Sequence, residues 1–263
     1  MDPALRLTYL GHSTVLIEVS GSRILTDPVL IDRRVPLRRV AEPLRPEQFA
    51  GIDLVLLSHL HLDHFDVPSL RLLEPGPHFV VPRGAGALLG RLGFRMVSEL
   101  EAGEAMSFGP VAVTATKAMH GGFRPPAGPR AAALGYLIES ERTRIYFAGD
   151  TDLFDGMAGF GAVDVALLPV WGWGPNLGRG HLDPERAAQA LELIHPSFAI
   201  PIHWGTLWPR GFGRVRAGRL TDPPHEFSAL AARTRPDTRI LVTAPGTTVS
   251  FARQHATGGL API

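Results

Sequence analysis

The segment Ser58-His59-Leu60-His61-Leu62-Asp63-His64 puts four side chains able to bind metal within six residues. Imidazole and carboxylate together suit zinc, and also iron or manganese. In an extended loop His59 and His61 project to the same side, so both can reach one ion. Asp63 and His64 point in different directions and can reach a second ion or its water. A merely solvated polar loop is the plainer alternative, and the density of ligands argues against it. If two divalent ions lie roughly 3.5–4 Å apart, they lower the pKa of a shared water from 15.7 towards about 7. The resulting hydroxide could attack a carbonyl carbon or a phosphorus polarised by the same ions. Asp63 is the candidate to orient it and accept its proton. The chain has no cysteine, which excludes thiolate metal sites, disulfides and a cysteine nucleophile.

These side chains need elements to carry them. Residues 53–57 form a short apolar run, as a strand covered on both faces should. Residues 6–19, 23–26, 78–82, 111–116, 134–140, 144–148, 164–168, 198–202 and 239–243 also read as strands. A helix is predicted over 184–194, with Asp183 as cap, Pro184 at the first position, and Ala187, Ala190, Leu191 and Ile194 on one face. Others are expected near 64–73, 84–91 and 225–234.

The pattern also repeats. Leu16-Ile17-Glu18 leads through Arg23-Ile24-Leu25 to Asp27, and Leu137-Ile138-Glu139 leads through Arg144-Ile145-Tyr146 to Asp150. Asp53-Leu54-Val55-Leu56-Leu57-Ser58 is echoed by Asp164-Val165-Ala166-Leu167-Leu168-Pro169, and Phe79-Val80-Val81-Pro82 by Phe198-Ala199-Ile200-Pro201. Three matches in the same order predict an α/β chain with two similar β-rich halves. Packed together with helices outside, they would make a four-layer αββα sandwich, one domain over residues 1–263. Loops from one edge of both halves would then meet in a cleft.

Composition narrows the classes. Basic and acidic residues number 26 and 25, a net charge of +1, which argues against a dedicated nucleic-acid binder. No apolar run of about 18 residues is present to span a bilayer, and no leader is visible. A cytoplasmic protein acting on a small, anionic molecule is expected, without integral membrane contact. A homo-oligomer is compatible with these features.

H-x-H-x-D-H after a buried strand resembles the signature of the metallo-β-lactamase-fold superfamily, whose members share the duplicated sandwich. The resemblance adds His120 in Lys117-Ala118-Met119-His120, Asp150 in Gly149-Asp150-Thr151, and His203 in Ile202-His203-Trp204. It implies that His59, His61 and His120 hold one ion and that Asp63, His64 and His203 hold the other. Asp150 would lie between them, and the cofactors would be two divalent ions, zinc first, with manganese or iron as alternatives. Gly11-His12-Ser13-Thr14, Thr26-Asp27-Pro28, His181-Leu182-Asp183-Pro184-Glu185 and His203-Trp204-Gly205-Thr206 resemble a narrower branch. That branch contains L-ascorbate-6-phosphate lactonase and N-acyl-phosphatidylethanolamine phospholipase D. The resemblance implies hydrolysis of a small phosphodiester, phosphate-bearing ester or lactone. Gly121-Gly122, where the phospholipase has bulkier residues, argues against a membrane lipid as substrate.

Around the ligands, Asp27 is expected to hold a ligand histidine in its tautomer, the alternative being a turn-forming Asp before Pro28. His12 is similarly placed. The resemblance puts His181 at the cleft rim, to bind an oxyanion or protonate a leaving group, and puts Arg124 four residues beyond His120, where it could meet an anion. Trp171, Trp173, Trp204 and Trp208 flank strand ends; Trp171 and Trp204 are the expected substrate wall, with core packing for at least two of the four. Arg33, Arg34, Arg38 and Arg39 form a basic loop that could meet an anion or stay solvated. A di-iron redox protein on the same scaffold and a non-catalytic metal-bound sensor are the competing classes.

Overall fold

Alternating apolar residues separate two faces on every central strand, and those faces dictate the layers. A computed structural model describes residues 3–32, 37–73, 76–124, 126, 128–141, 143–173, 177–211, 218–254 and 259–263. The first half runs through β1 (Leu5–Gly11), β2 (Thr14–Val19), β3 (Ser22–Thr26), β4 (Leu37–Arg39), β5 (Leu54–Leu56), β6 (His78–Pro82) and β7 (Val97–Leu100). The second contains β8 (Ala105–Phe108), β9 (Val111–Lys117), β10 (Leu134–Ser140), β11 (Thr143–Phe147), β12 (Val165–Pro169), β13 (Phe198–Ile202), β14 (Leu207–Pro209) and β15 (Arg239–Ile240). Then β16 (Thr247–Arg253) and β17 (Leu260–Pro262) return to the first sheet. The helices are α1 (Val67–Leu70), α2 (Gly86–Arg91), α3 (Pro184–Ile194), α4 (Gly218–Thr221) and α5 (Pro223–Thr234).

One sheet is ordered β17-β16-β1-β2-β3-β5-β6-β7 and the other β15-β13-β12-β11-β10-β9-β8, with β4 and β14 paired apart. Leu7, Ile17, Ile24, Leu56 and Val80 join Val113, Ile138 and Phe147 in one core between the sheets. Leu16, Leu25, Val55 and Phe79 point the other way, to a second core with Leu70 of α1 and Leu89 of α2. On the far side α3 and α5 pack on each other over the second sheet. α3 keeps its expected bounds: the Asp183 side chain accepts from the Arg186 N–H, and Ala187, Ala190, Leu191 and Ile194 are buried. Among the described residues no helix is long and apolar enough to cross a membrane.

The internal echo extends to register. Leu16 faces Leu25, Ile17 faces Ile24 and Glu18 faces Arg23; Leu137 faces Tyr146, Ile138 faces Ile145 and Glu139 faces Arg144. Each hairpin's second strand continues in parallel, β3-β5-β6 in one sheet and β11-β12-β13 in the other. The supporting contacts repeat as well. Glu18 pairs with Arg23 and Glu139 with Arg144. The backbone N–H of Arg23 donates to Asp53 and that of Arg144 to Asp164, each at 2.8 Å. The protein is therefore an αββα sandwich of two similar halves.

Several boundaries differ from the expected ones. Residues 6–19 form two strands, because the register slips between Tyr9 and Gly11 and His12 turns with φ 57°. The helix expected near 64–73 is only α1, since Asp66 caps it through Ser69 and the chain before it turns at His61–His64. The strand expected over 239–243 shortens to β15. Gly122 is needed for packing, since a Cβ there would lie 1.7 Å from the Ala131 carbonyl oxygen.

Candidate metal centre

Strand direction explains why distant residues converge. β1, β3 and β5 point the same way in the first sheet, as do β9, β11 and β13 in the second. His12, Asp27 and the 59–64 segment follow the first three, and His120, Asp150 and His203 the others. Ligands gathered beyond the C-terminal ends of such strands sit on loops held by a rigid frame.

All seven candidate ligands come together. His61 Nδ1 lies 3.0 Å from His120 Nε2, and His59 completes a group whose ligand atoms are all within 4.8 Å of one another. A second group joins Asp63, His64 and His203 with His12; His64 Nε2 and His203 Nε2 are 3.1 Å apart. Asp150 connects the groups. Its Oδ1 is 3.1 Å from His203 Nε2, and its Oδ2 is 3.2 Å from His64 Nε2 and 4.0 Å from His120 Nε2. His59 Nε2 is buried without a hydrogen-bond partner. Ligands at 2.0–2.1 Å from one tetrahedral ion are roughly 3.3 Å apart, so separations of 3.0–3.2 Å fit a shared cation.

The rear nitrogens fix the tautomers. His120 Nδ1 donates to the Gly180 carbonyl at 2.7 Å and His203 Nδ1 to the Trp171 carbonyl. A carbonyl only accepts, so both rings carry their proton at Nδ1 and turn a bare Nε2 to the cluster. His64 Nδ1 donates to Asp27 Oδ2 at 2.7 Å. Ser58 donates its hydroxyl to Asp27 and so accepts from His59 Nδ1 at 2.9 Å. This is the outer hydrogen bonding that orients metal-binding imidazoles.

Electrostatics agree. Burial pushes His203 down to about 3 and holds His59 well below the ordinary histidine value. Burial also lowers His61 and His120. Burial opposes charge on His64 too, but the Asp150, Asp63 and Asp27 carboxylates outweigh it and raise His64 well above the usual range. Burial would raise Asp63 and Asp150, yet neighbouring histidines hold both well below the ordinary carboxylate value. A cation held at His64 Nε2 must displace a proton there. Metal uptake near neutral pH is therefore expected to release about one proton per chain, and apparent affinity to rise with pH. Calorimetric metal titration in buffers of different ionisation enthalpy measures this; identical heats would remove His64 from the ligand set.

The surrounding residues take clear positions. Asp27 is fully buried, accepting from the Ser58 N–H at 2.7 Å as well as from the Ser58 hydroxyl and His64. Burial raises its pKa despite the nearby His64. His12 Nε2 is 3.1 Å from Asp63 Oδ2, and its ring lies 3.8 Å from that of His203. His181 Nε2 stands 3.5 Å from Asp150 Oδ2, half-buried at the rim. His12, Asp27 and His203 all have positive φ, a strained backbone for non-glycine residues concentrated at this cluster. Gly149 permits the close loop approach: its φ is 58°, and a Cβ there would meet Ser58 Cβ at 2.5 Å.

Other expectations fall differently. Arg124 braces the ligand loop, donating to the carbonyls of Leu60 at 2.7 Å and Phe65 at 3.3 Å and lying over the Phe65 ring. Trp171 is buried and meets the cluster through its carbonyl. Trp204 is buried against Tyr9, with its indole N–H on the Pro201 carbonyl. The indole beside the ligands is Trp173, 37% exposed, donating to Asp63 Oδ2 at 2.9 Å. Only its place just after a strand end marked it in the sequence. Arg33 and Arg34 lie outside the described residues. Arg38 and Arg39 belong to β4, where Arg39 Nη2 donates to the Leu10 carbonyl at 2.6 Å.

Comparison with known proteins agrees with this fold. A model of the beta-lactamase superfamily domain matches residues 22–204, which contain every candidate ligand. The chain belongs to the beta-lactamase superfamily and is a metal-dependent hydrolase of that group. It is 31% identical to a UPF0173 metal-dependent hydrolase of Aeropyrum pernix, over 94% of this chain and 97% of that one. It is 30% identical to N-acyl-phosphatidylethanolamine-hydrolyzing phospholipase D 1 of Caenorhabditis elegans, over 80% of this chain and 66% of that protein. The metallo hydrolase Igni18 of Ignicoccus hospitalis superposes with a TM-score of 0.72 at 25% identity, covering 95% of this chain and 99% of that one.

Proposed function

We propose that the protein is a dinuclear hydrolase of a small, anionic phosphodiester, phosphate-bearing ester or lactone. The observation carrying this reading is Asp150, whose two oxygens approach His203 on one side and His64 and His120 on the other. His59, His61 and His120 would hold one cation, Asp63, His64 and His203 the other, and Asp150 would touch both. Zinc suits the all-nitrogen-and-oxygen set, as would manganese or iron. When bound, two such ions supply an acidified water and stabilise negative charge developing on the substrate.

The chain's own groups do the rest. Asp63 Oδ2 accepts from His12 and Trp173, and these bonds would hold the carboxylate in place to orient the attacking water and take its proton. His181 stands at the rim to hold a substrate oxyanion or give a proton from Nε2 to the leaving oxygen. The Trp173 ring offers an apolar edge beside the cluster. Similarity to a protein named a phospholipase D supports a phosphodiester over other esters.

Metal analysis together with hydrolysis of bis-p-nitrophenyl phosphate against simple lactones tests the reading. Two equivalents of metal with turnover of either class are expected; a single equivalent, or full loading without turnover, would refute it. His181→Ala is expected to keep its metal and lose about 10²-fold in kcat. Normal kcat in that variant would remove His181 from the mechanism.

A further inference from the structure

The outer face of the second sheet is hollow at β9. Thr114 has Ala105 of β8 on one side, and Thr116 faces Gly135 of β10, so little side chain rises beside either. α5 packs against β13, well along the sheet, and the 3-10 turn Asp155–Phe160 walls the hollow instead. The result is a cavity of about 820 Å³ lined by Thr114, Leu137, Lys117, Met119, Phe154 and Phe160. Its apolar walls are within reach of a ligand: Met119 is 42% exposed, and Phe154 and Phe160 are half-buried. The rings are also preformed. Phe160 is backed by Tyr146 at 4.6 Å between centroids, and Phe154 stands edge-on to it at 6.2 Å. Lys117, the chain's one lysine, is exposed and forms no ion pair among the described residues.

Both walls run into the metal cluster. Lys117 and Met119 lead directly to His120, and Phe154 follows Asp150 by four residues. The Met119 N–H donates to the Thr151 hydroxyl at 2.9 Å and the Asp152 N–H to the Met119 carbonyl at 3.2 Å, so the walls meet at the edge of the cluster. A concave, mostly apolar site with a flexible methionine and two rings suits an alkyl or aryl group, and a lone ammonium at its rim suits one negative charge. Asp155 also lines the cavity and disfavours a second acidic group on the same molecule. We propose that this cavity holds the apolar tail of the substrate, a singly charged ester whose tail lies against Met119, Phe154 and Phe160 and whose charge is within reach of Lys117. The position of the ester bond rests on the hydrolytic reading above; binding of the tail stands on the cavity alone.

Calorimetry with alkylphosphonates from methyl to hexyl, which have no ester bond to cleave, tests the assignment on metal-loaded protein. Each added methylene is expected to tighten binding about two- to threefold. Phe154→Ala should flatten that series while leaving methylphosphonate unchanged, and Met119→Gln, at an exposed position, serves if the phenylalanine variant does not fold. Lys117→Gln should weaken every member several-fold at unchanged metal content. Hexylphosphonate should also slow modification of Lys117 by an amine reagent, read by peptide mass spectrometry. Equal affinity for methyl- and hexylphosphonate, or an unchanged series in both Phe154→Ala and Met119→Gln, overturns the proposal. So does labelling of Lys117 that slows with protein concentration and not with hexylphosphonate, which would put a second copy of the chain on this face. Paired with p-nitrophenyl methyl and hexyl phosphates, the series separates the two readings. Turnover without dependence on tail length overturns the tail site alone, and length-dependent binding without turnover of either ester overturns the hydrolytic reading alone.

Discussion

Asp150→Ala is expected to lower hydrolysis by about 10³-fold or more and to reduce bound metal. The carboxylate is almost wholly buried and meets His64, His203, His120 and His181 within 4.0 Å. Its removal takes away a carboxylate that reaches both halves of the cluster and leaves His64 with less to support its charge. Folding should survive, because the Gly149 turn and the neighbouring strands do not depend on that side chain. Metal analysis beside thermal unfolding separates the two effects. Full metal loading with wild-type turnover would show that Asp150 is a neighbour of the cluster and not part of it.

Asp27→Ala is expected to destabilise the protein by about 3–5 kcal/mol, a large share of an ordinary 5–15 kcal/mol. Three buried donors lose their acceptor at once: the Ser58 N–H, the Ser58 hydroxyl and His64 Nδ1–H. Asp27→Asn is the finer probe. An amide keeps the shape but presents an N–H to one of these donors, so His64 loses its fixed tautomer. A 10- to 100-fold loss of metal affinity is expected from disturbing such a support. Denaturant unfolding and competition with a chromophoric chelator measure both; an Asn variant with wild-type affinity would show that Asp27 only shapes the turn before Pro28.

Much of this arrangement was legible in the chain because it repeats. The Leu16–Asp27 and Leu137–Asp150 stretches share a spacing of apolar and charged residues, and spacing survives into register. The 59–64 ligand run was legible because its chemistry is local. What escaped notice lacks a local mark. β7 and β8 are half-exposed and weakly patterned, so periodicity gives them little signal. The break at His12 comes from a positive φ on a non-glycine residue, which tertiary contacts impose: His203 N–H donates to the His12 carbonyl, and the His12 N–H donates to the Thr206 hydroxyl. Trp173 was indistinguishable from its buried companions until the loop around it was placed. Arg124, expected from its motif position to meet an anion, donates through Nη1 to two backbone carbonyls of the ligand loop.

The matched hairpins carry one more implication. Asp27 and Asp150 occupy corresponding stations after corresponding strands, yet one faces rearward to steady an imidazole while its twin faces inward among several. The likeness of the halves thus stops where chemistry starts. Each half by itself owns an incomplete toolkit, one with the clustered histidines and their brace, the other with the central carboxylate and the remaining imidazoles. On the proposed function catalysis would belong to the seam, and fragments severed between β7 and β8 should regain it only when they reassociate.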